Sequence, residues 1–337
     1  MSVRSAGRVA GDSRSSRPVR MLETSPFPIL LVSLVGVLLL TALAPSLVVG
    51  DTWLTLMAGR EVIDHGLPEV ERITVLGDGA TWTDQQWLAQ VIVYAAHELA
   101  GLRAVVLLAV ALVLVALGLA LGTARTNGAS ARSTFLLGAL ATVAGPWGWT
   151  IRAQTLALPL FAATVWLLTD ASRRGARPRT LLVLPLLVLW ANVHGSVVLG
   201  ALLAIAFGAT EIARTRRVTW IPASLVVTSP LCVLASPYGT DLVAYYDLML
   251  VEAPFADILR EWQWSSPSGT TALFWVLAAL SMTVGSASVD TARPSMDSVV
   301  SVLSSASLKG TYETAPAATT PGTFSIRAIV SRKKAAR

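Results

Sequence analysis

Eleven residues of reactive type recur at the edges of apolar runs. Asp51, Trp53 and Arg60 follow the first run, Asp84 and Trp87 sit in "WTDQQWLAQ", and Arg152 and Gln154 in "IRAQTL". Asn192 and His194 sit in "WANVHGS", and Glu261 and Trp262 in "REWQW". Carboxylates and imidazoles exchange protons, and guanidinium groups hold anions. Polar groups at membrane depth are expensive, about 2.5–3.5 kcal/mol for Asp or Arg at a helix centre. Side chains of this kind are retained where they line a wet cavity or a site. If the chain brings them to one boundary, the chemistry is interfacial.

The elements that must position them are membrane helices. The 337 residues are 54% hydrophobic and 14% charged, against about 25% charged in soluble globular chains. The charges are clustered between long apolar intervals, the pattern of a polytopic membrane protein. The single cysteine, Cys232, excludes an intramolecular disulfide and a Cys-based metal site. The net charge of +6 comes from short loops and tails. It reads as topology and not as a nucleic-acid footprint, and no nucleotide-binding glycine loop follows a strand pattern.

Residues 1–26 are Ser/Arg-rich and read as a disordered basic cytoplasmic tail. The bundle is expected over 27–285. Its first run, 28–49, is too long for a signal-peptide core. Further runs are 102–124, 134–149, 155–169, 180–192, 195–213, 218–235 and 271–285. Between Arg179 and Arg214 the one charge, Glu211, lies near the end. As one helix that interval would measure about 50 Å, whereas the hydrocarbon core is about 30 Å thick. Two crossings turning at "WANVHGS" fit better, and 132–173 splits likewise near "PWGWTIRAQ". Residues 286–337, rich in Ser, Ala, Thr and Pro, read as a low-complexity disordered cytoplasmic tail.

Charge asymmetry orients the bundle. The N-terminal tail holds five arginines and two acids, "DASRRGARPR" four arginines and "EIARTRR" three. The segments between are acidic: 51–100 carries eight acids and two arginines, and 236–270 five acids and one arginine. The fold expected is therefore all-α, about eight crossings with both termini cytoplasmic in the plasma membrane. Outer loops span 51–101 and 236–270, and 84–99 forms an amphipathic helix on the membrane surface. All the reactive residues then face one side.

Each also has a plainer reading. Asp51 marks where the chain meets water, Arg152 anchors a phospholipid headgroup, and His194 caps the turn beside Gly195. The tryptophans form an interfacial belt, and Glu261 is a solvated loop charge.

The runs "DTWLTLMAGREVIDHGLP", "TWTDQQWLAQVIVYAAHELAGL", "RAQTLALPL", "LWANVHGSVVLG", "ASPYGTDL" and "ILREWQWSSP", in this order over 27–280, resemble a family of bacterial multi-spanning membrane proteins. That family is grouped with the GT-C glycosyltransferases, the superfamily of the dolichyl-phosphate-mannose protein mannosyltransferases. The resemblance implies transfer of a sugar from a polyprenyl-phosphate donor in the bilayer to a glycan or protein acceptor outside. It implies Asp51 as catalytic base, the place of the carboxylate beyond helix 1. Arg152 and His194 would stabilise the leaving phosphate. Asn192 and Gln154 would orient sugar hydroxyls, and Trp53 or Trp87 would stack on a sugar face. Arg60 and Glu261 complete the expected donor-side set. A divalent cation between Asp51 and phosphate oxygens is compatible with this chemistry, though no ligand spacing demands one. The resemblance departs in two places. "DTWLTL" lacks the second aromatic or histidine common after the tryptophan. The helical pattern also fades after Gly285, where similar chains continue with more helices, as in a truncated or frameshifted product. The alternative reading is a non-catalytic membrane protein of envelope glycan assembly or lipid-linked intermediate handling.

Overall fold

The computed structural model describes residues 35–36, 39, 47–73, 79–131, 133–135, 138, 150–252, 272 and 275–276. The expected tails, most of the runs at 28–49 and 134–149, nearly all of 271–285, and Glu261 with Trp262 lie outside the described residues. Seven α-helices are described in chain order: α1 Gly50–His65, α2 Trp87–Thr126, α3 Ala157–Arg174, α4 Val183–Ala191, α5 Val197–Thr215, α6 Trp220–Val233 and α7 Asp241–Asp247. Short 3-10 turns at Ala153–Leu156 and Pro178–Leu182 lead into α3 and α4. Among the described residues β pairing is confined to one antiparallel bridge, Val70 to Thr81.

Among the described residues three helical segments are long and apolar enough to cross a bilayer: Trp87–Thr126, Ala153–Arg174 and Val197–Thr215. Pro178–Ala191 and Trp220–Val233 are apolar but shorter. Large apolar side chains point outward from these helices, among them Leu107, Val115, Leu182, Leu202, Val227 and Leu231. On a water-facing bundle that much exposed aliphatic surface would drive association. Against lipid it is the matching surface.

The helices start and stop where local chemistry requires. "WANVHGS" ends one helix at Ala191 and begins the next at Val197, so the interval from Arg179 to Arg214 folds as a hairpin. Inside it Trp190, Leu187, Val183 and Ala204 are almost completely buried. The 40 residues of α2 are interrupted at Ala100 (φ −155°, ψ 31°) and Gly101 (φ 65°, ψ −158°). The break divides α2 into a leg of residues 87–99 and an apolar leg of residues 102–126. It falls at the expected border between the outer loop 51–101 and the run beginning at 102. The first leg packs against α1, where a Cβ on Gly59 would lie 2.2 Å from the carbonyl oxygen of Gln90. Only glycine permits that approach.

Candidate functional site

The start of α1 is fixed by one threonine. The backbone N–H of Val49 donates to Thr52 Oγ1 (3.0 Å), and the Thr52 N–H donates to the Val49 carbonyl (3.0 Å). The Thr52 hydroxyl in turn donates to the carbonyl of Ile151 (2.7 Å), and the Ile151 N–H donates to the carbonyl of Leu47 (2.8 Å). Thr52 is fully buried. The two backbones are thereby laced together ahead of α1 and α3, and the residues next to the lacing are Asp51 and Arg152.

Arg152 Nε lies 3.1 Å from Asp51 Oδ2. The Asp51 side chain is 52% exposed and that of Arg152 25%. An ion pair this open contributes about 0.2–1 kcal/mol to stability, so stability is a weak reason for its presence. Arg152 is held in extended backbone by its N–H, which donates to Thr155 Oγ1 (3.3 Å), and the Thr155 hydroxyl donates to the Thr150 carbonyl (3.0 Å). Gln154 is half-buried in the same 3-10 turn.

A second group forms where the 192–196 turn meets the start of α2. The Trp87 indole N–H donates to Asn192 Oδ1 (3.0 Å), and the Leu88 N–H to the Asn192 carbonyl (3.1 Å). The Asn192 amide donates to the carbonyls of Val188 (2.9 Å) and Ala235 (2.8 Å), and Gln85 Nε2 donates to the carbonyl of Ala191 (3.0 Å). Both amide hydrogens of Asn192 are used, one on its own helix and one on the segment at Ala235, while its Oδ1 takes the segment at Trp87. His194 Nδ1 accepts from the Ser196 N–H (3.1 Å) and pairs with Ser196 Oγ (2.9 Å), which accepts from the Trp190 indole N–H (3.1 Å). An Nδ1 that accepts assigns the proton to Nε2. Burial lowers the pKa of His194, so the ring at neutral pH is an uncharged Nε2–H donor.

The remaining expected site residues stand apart. Arg60 lies nine residues after Asp51 on α1, which is half a turn round the helix and about 13.5 Å along it. It pairs with Asp64 (3.2 Å). The structure does not bring Arg60 to Asp51. Trp53 is half exposed on α1, about 200° round the helix from Asp51.

Asp84, grouped with the reactive residues in the sequence but given no role there, has the most unusual surroundings of them. It is 2% exposed. Its Oδ1 accepts from Gln90 Nε2 (2.8 Å), while Asp84 Oδ2 and Gln90 Oε1 have no hydrogen-bond partner among the described residues. Burial pushes the carboxyl up to about 6, the Glu71 carboxylate adds to the rise, and the bonds from Gln90 and the Gln86 backbone oppose it. A protonated Asp84 with its hydrogen on Oδ2 would offer Gln90 Oε1 a donor, as in a carboxylic acid–amide dimer. Two tyrosines border this carboxyl. Burial raises the pKa of both, with Asp84 contributing, and Tyr238 reaches about 12. The Tyr238 hydroxyl donates to the Pro68 carbonyl (2.9 Å). The signal in the sequence was the close spacing of Asp84 and Gln90 across the start of an apolar helix, but spacing carries no sign of burial.

Among the described residues no group of three or more His, Cys, Asp and Glu is placed to hold a metal ion. The neighbour of Asp51 is a guanidinium, which itself supplies positive charge beside the carboxylate. Comparison of the chain with models of known protein families, with curated proteins and with solved structures finds no match.

Proposed function

We propose that the chain is a GT-C-like membrane glycosyltransferase that moves a sugar from a polyprenyl phosphate to an envelope acceptor on the outer face of the plasma membrane. The observation that supports this most is the 3.1 Å pairing of Asp51 with Arg152 at the mouths of two helices. Transfer to a hydroxyl needs a base at the attacking oxygen and positive charge at the leaving phosphate, and this pair supplies both groups once an incoming substrate separates them. The acceptor oxygen forms its bond to the anomeric carbon and its proton passes to the Asp51 carboxylate. The bond from that carbon to the phosphate oxygen breaks, and its electron pair leaves with the lipid phosphate. Arg152, the guanidinium beside Asp51, would take phosphate oxygens as charge develops on the leaving group. His194, in the separate group at the 192–196 turn, would serve as a neutral Nε2–H donor to a substrate oxygen without adding charge. In this reading the arginine-rich helix ends face the cytoplasm and Asp51 faces out.

The discriminating experiment is sugar transfer by the full-length protein with a polyprenyl-phosphate sugar, comparing the native chain with Asp51→Asn. Loss of transfer from a correctly inserted Asp51→Asn protein supports the assignment, and undiminished transfer removes Asp51 as base.

The second reading is a non-catalytic component of envelope glycan assembly that handles lipid-linked intermediates. It is favoured by the Trp87–Asn192 bond, which ties two of the expected sugar-binding groups to each other. Envelope glycan lost on deletion but restored by Asp51→Asn would select this reading.

A further inference from the structure

The opposite end of α2 and α3 holds a recess of about 250 Å³ lined by Thr123, Asn127, Trp166, Asp170, Arg173 and Arg174. It lies about 27 Å along α3 from the Arg152 end, at 1.5 Å per residue. We propose that this recess binds a phosphate group of the kind displayed by anionic phospholipid headgroups and by free phosphate.

The argument begins with charge. Two helix C-termini meet here, and each carries about half a negative charge, which would repel an anion. Arg173 offsets the first of them: its Nη1 donates to the Thr126 carbonyl (3.1 Å) at the end of α2 and to Asn127 Oδ1 (2.7 Å). Asp170 is the one carboxylate among the lining residues, and it is shared by Arg174 (3.3 Å) and Arg179. Three guanidinium groups therefore stand against one carboxylate and about one unit of helix charge. The balance is positive by about one charge. The guanidinium groups are planar forks of the type that holds phosphate.

Depth decides the class of ligand. Both helices that end here are long and apolar enough to cross a bilayer, so the recess lies where the apolar span gives way to headgroups. Trp166 lines it from two turns inside the arginines, an aromatic floor beneath a cationic rim, as at membrane interfaces. Basic pockets between membrane helices hold phospholipid headgroups in this way. The volume is below the roughly 300–1,000 Å³ of pockets for drug-sized ligands, which suits one headgroup with its acyl chains running outside along α2 and α3.

The test uses the full-length protein in a neutral detergent, titrated with short-chain phosphatidylglycerol, short-chain phosphatidylcholine or inorganic phosphate, with the thermal unfolding midpoint as readout. Phosphatidylglycerol is expected to give a saturable rise that phosphatidylcholine does not. The Arg173→Gln/Arg174→Gln protein should need about tenfold more lipid or beyond. A rise produced equally by inorganic phosphate, and lost in the same double variant, upholds the phosphate site and assigns free phosphate as the ligand. Indistinguishable titrations with both lipids and no response to phosphate overturn the proposal, as does a double variant that titrates like the native protein. Should the double variant not fold, arginine modification by phenylglyoxal decides on the native protein. Protection of Arg173 and Arg174 by phosphatidylglycerol or phosphate supports the site, and no protection by either overturns it.

Discussion

The hydroxyl of Thr52 donates a 2.7 Å hydrogen bond to the carbonyl of Ile151, ninety-nine residues further along the chain. That bond sets the relative position of the two helix starts carrying Asp51 and Arg152. Thr52→Val keeps the shape and removes the donor, leaving a buried carbonyl with one partner fewer. The expected cost is about 1–3 kcal/mol, read as a lower unfolding midpoint in detergent. Sugar transfer should fall as well, because the ion pair loses its frame. An unchanged midpoint would show that the lacing carries no load.

Asp51→Asn separates chemistry from stability. The ion pair is half exposed, so its removal should shift unfolding by less than about 1 kcal/mol. If Asp51 is the base, transfer should drop by about 100-fold or more. Arg152→Lys keeps the charge but loses the planar fork, and should show a smaller loss than Arg152→Ala in the same assay.

Asp84 makes stability depend on pH with a defined sign. Its folded-state pKa is raised from the ordinary 3.8 to about 6, so between these values the folded chain binds a proton that the unfolded chain has released. This contribution is complete at acid pH and is lost as pH rises through about 6. The displacement corresponds to about 3 kcal/mol. Unfolding followed from pH 4 to pH 8 should show falling stability over the lower part of that range. Asp84→Asn should flatten the fall and raise the midpoint at pH 7.5, since an amide gives Gln90 Oε1 a donor without burying a charge. A native-protein profile already flat over that range would sink the assignment.

Two glycines on neighbouring helices should respond in opposite directions. A Cβ on Gly59 would meet backbone of α2 at 2.2 Å, whereas a Cβ on Gly118 meets nothing within 4 Å. Gly59→Ala should destabilise by about 1–3 kcal/mol through overpacking. Gly118→Ala should be neutral or stabilise by about 0.5–1 kcal/mol. Paired unfolding curves of the two variants check both signs.

What was legible in the sequence was what length and charge control. The turn at "WANVHGS" follows because no single helix of about 50 Å fits a 30 Å core. The residues that approach one another across the chain were harder to read. Asp51 and Arg152 sit on separate runs, and the Thr52–Ile151 bond that joins them involves a backbone carbonyl, which has no letter of its own. The separation of Arg60 from Asp51 was readable: once α1 is helical, a spacing of nine puts it on the far side of the helix. Asp84 was visible as a reactive residue ahead of an apolar run, but its burial comes from tertiary packing and left no mark on the spacing.

The joint at Gly101 bears on how long the chain can be inside a bilayer. Its backbone angles lie in territory essentially reserved for glycine. A side chain there would strain the bend by about 1–3 kcal/mol, which shifts the balance towards a straight rod, and forty residues in line measure about 60 Å, twice the oily layer. Either Trp87 would be lifted far above the lipid or Thr126 pushed out below it. A single methyl group at this corner would therefore bias the chain towards choosing which of its two ends stays anchored.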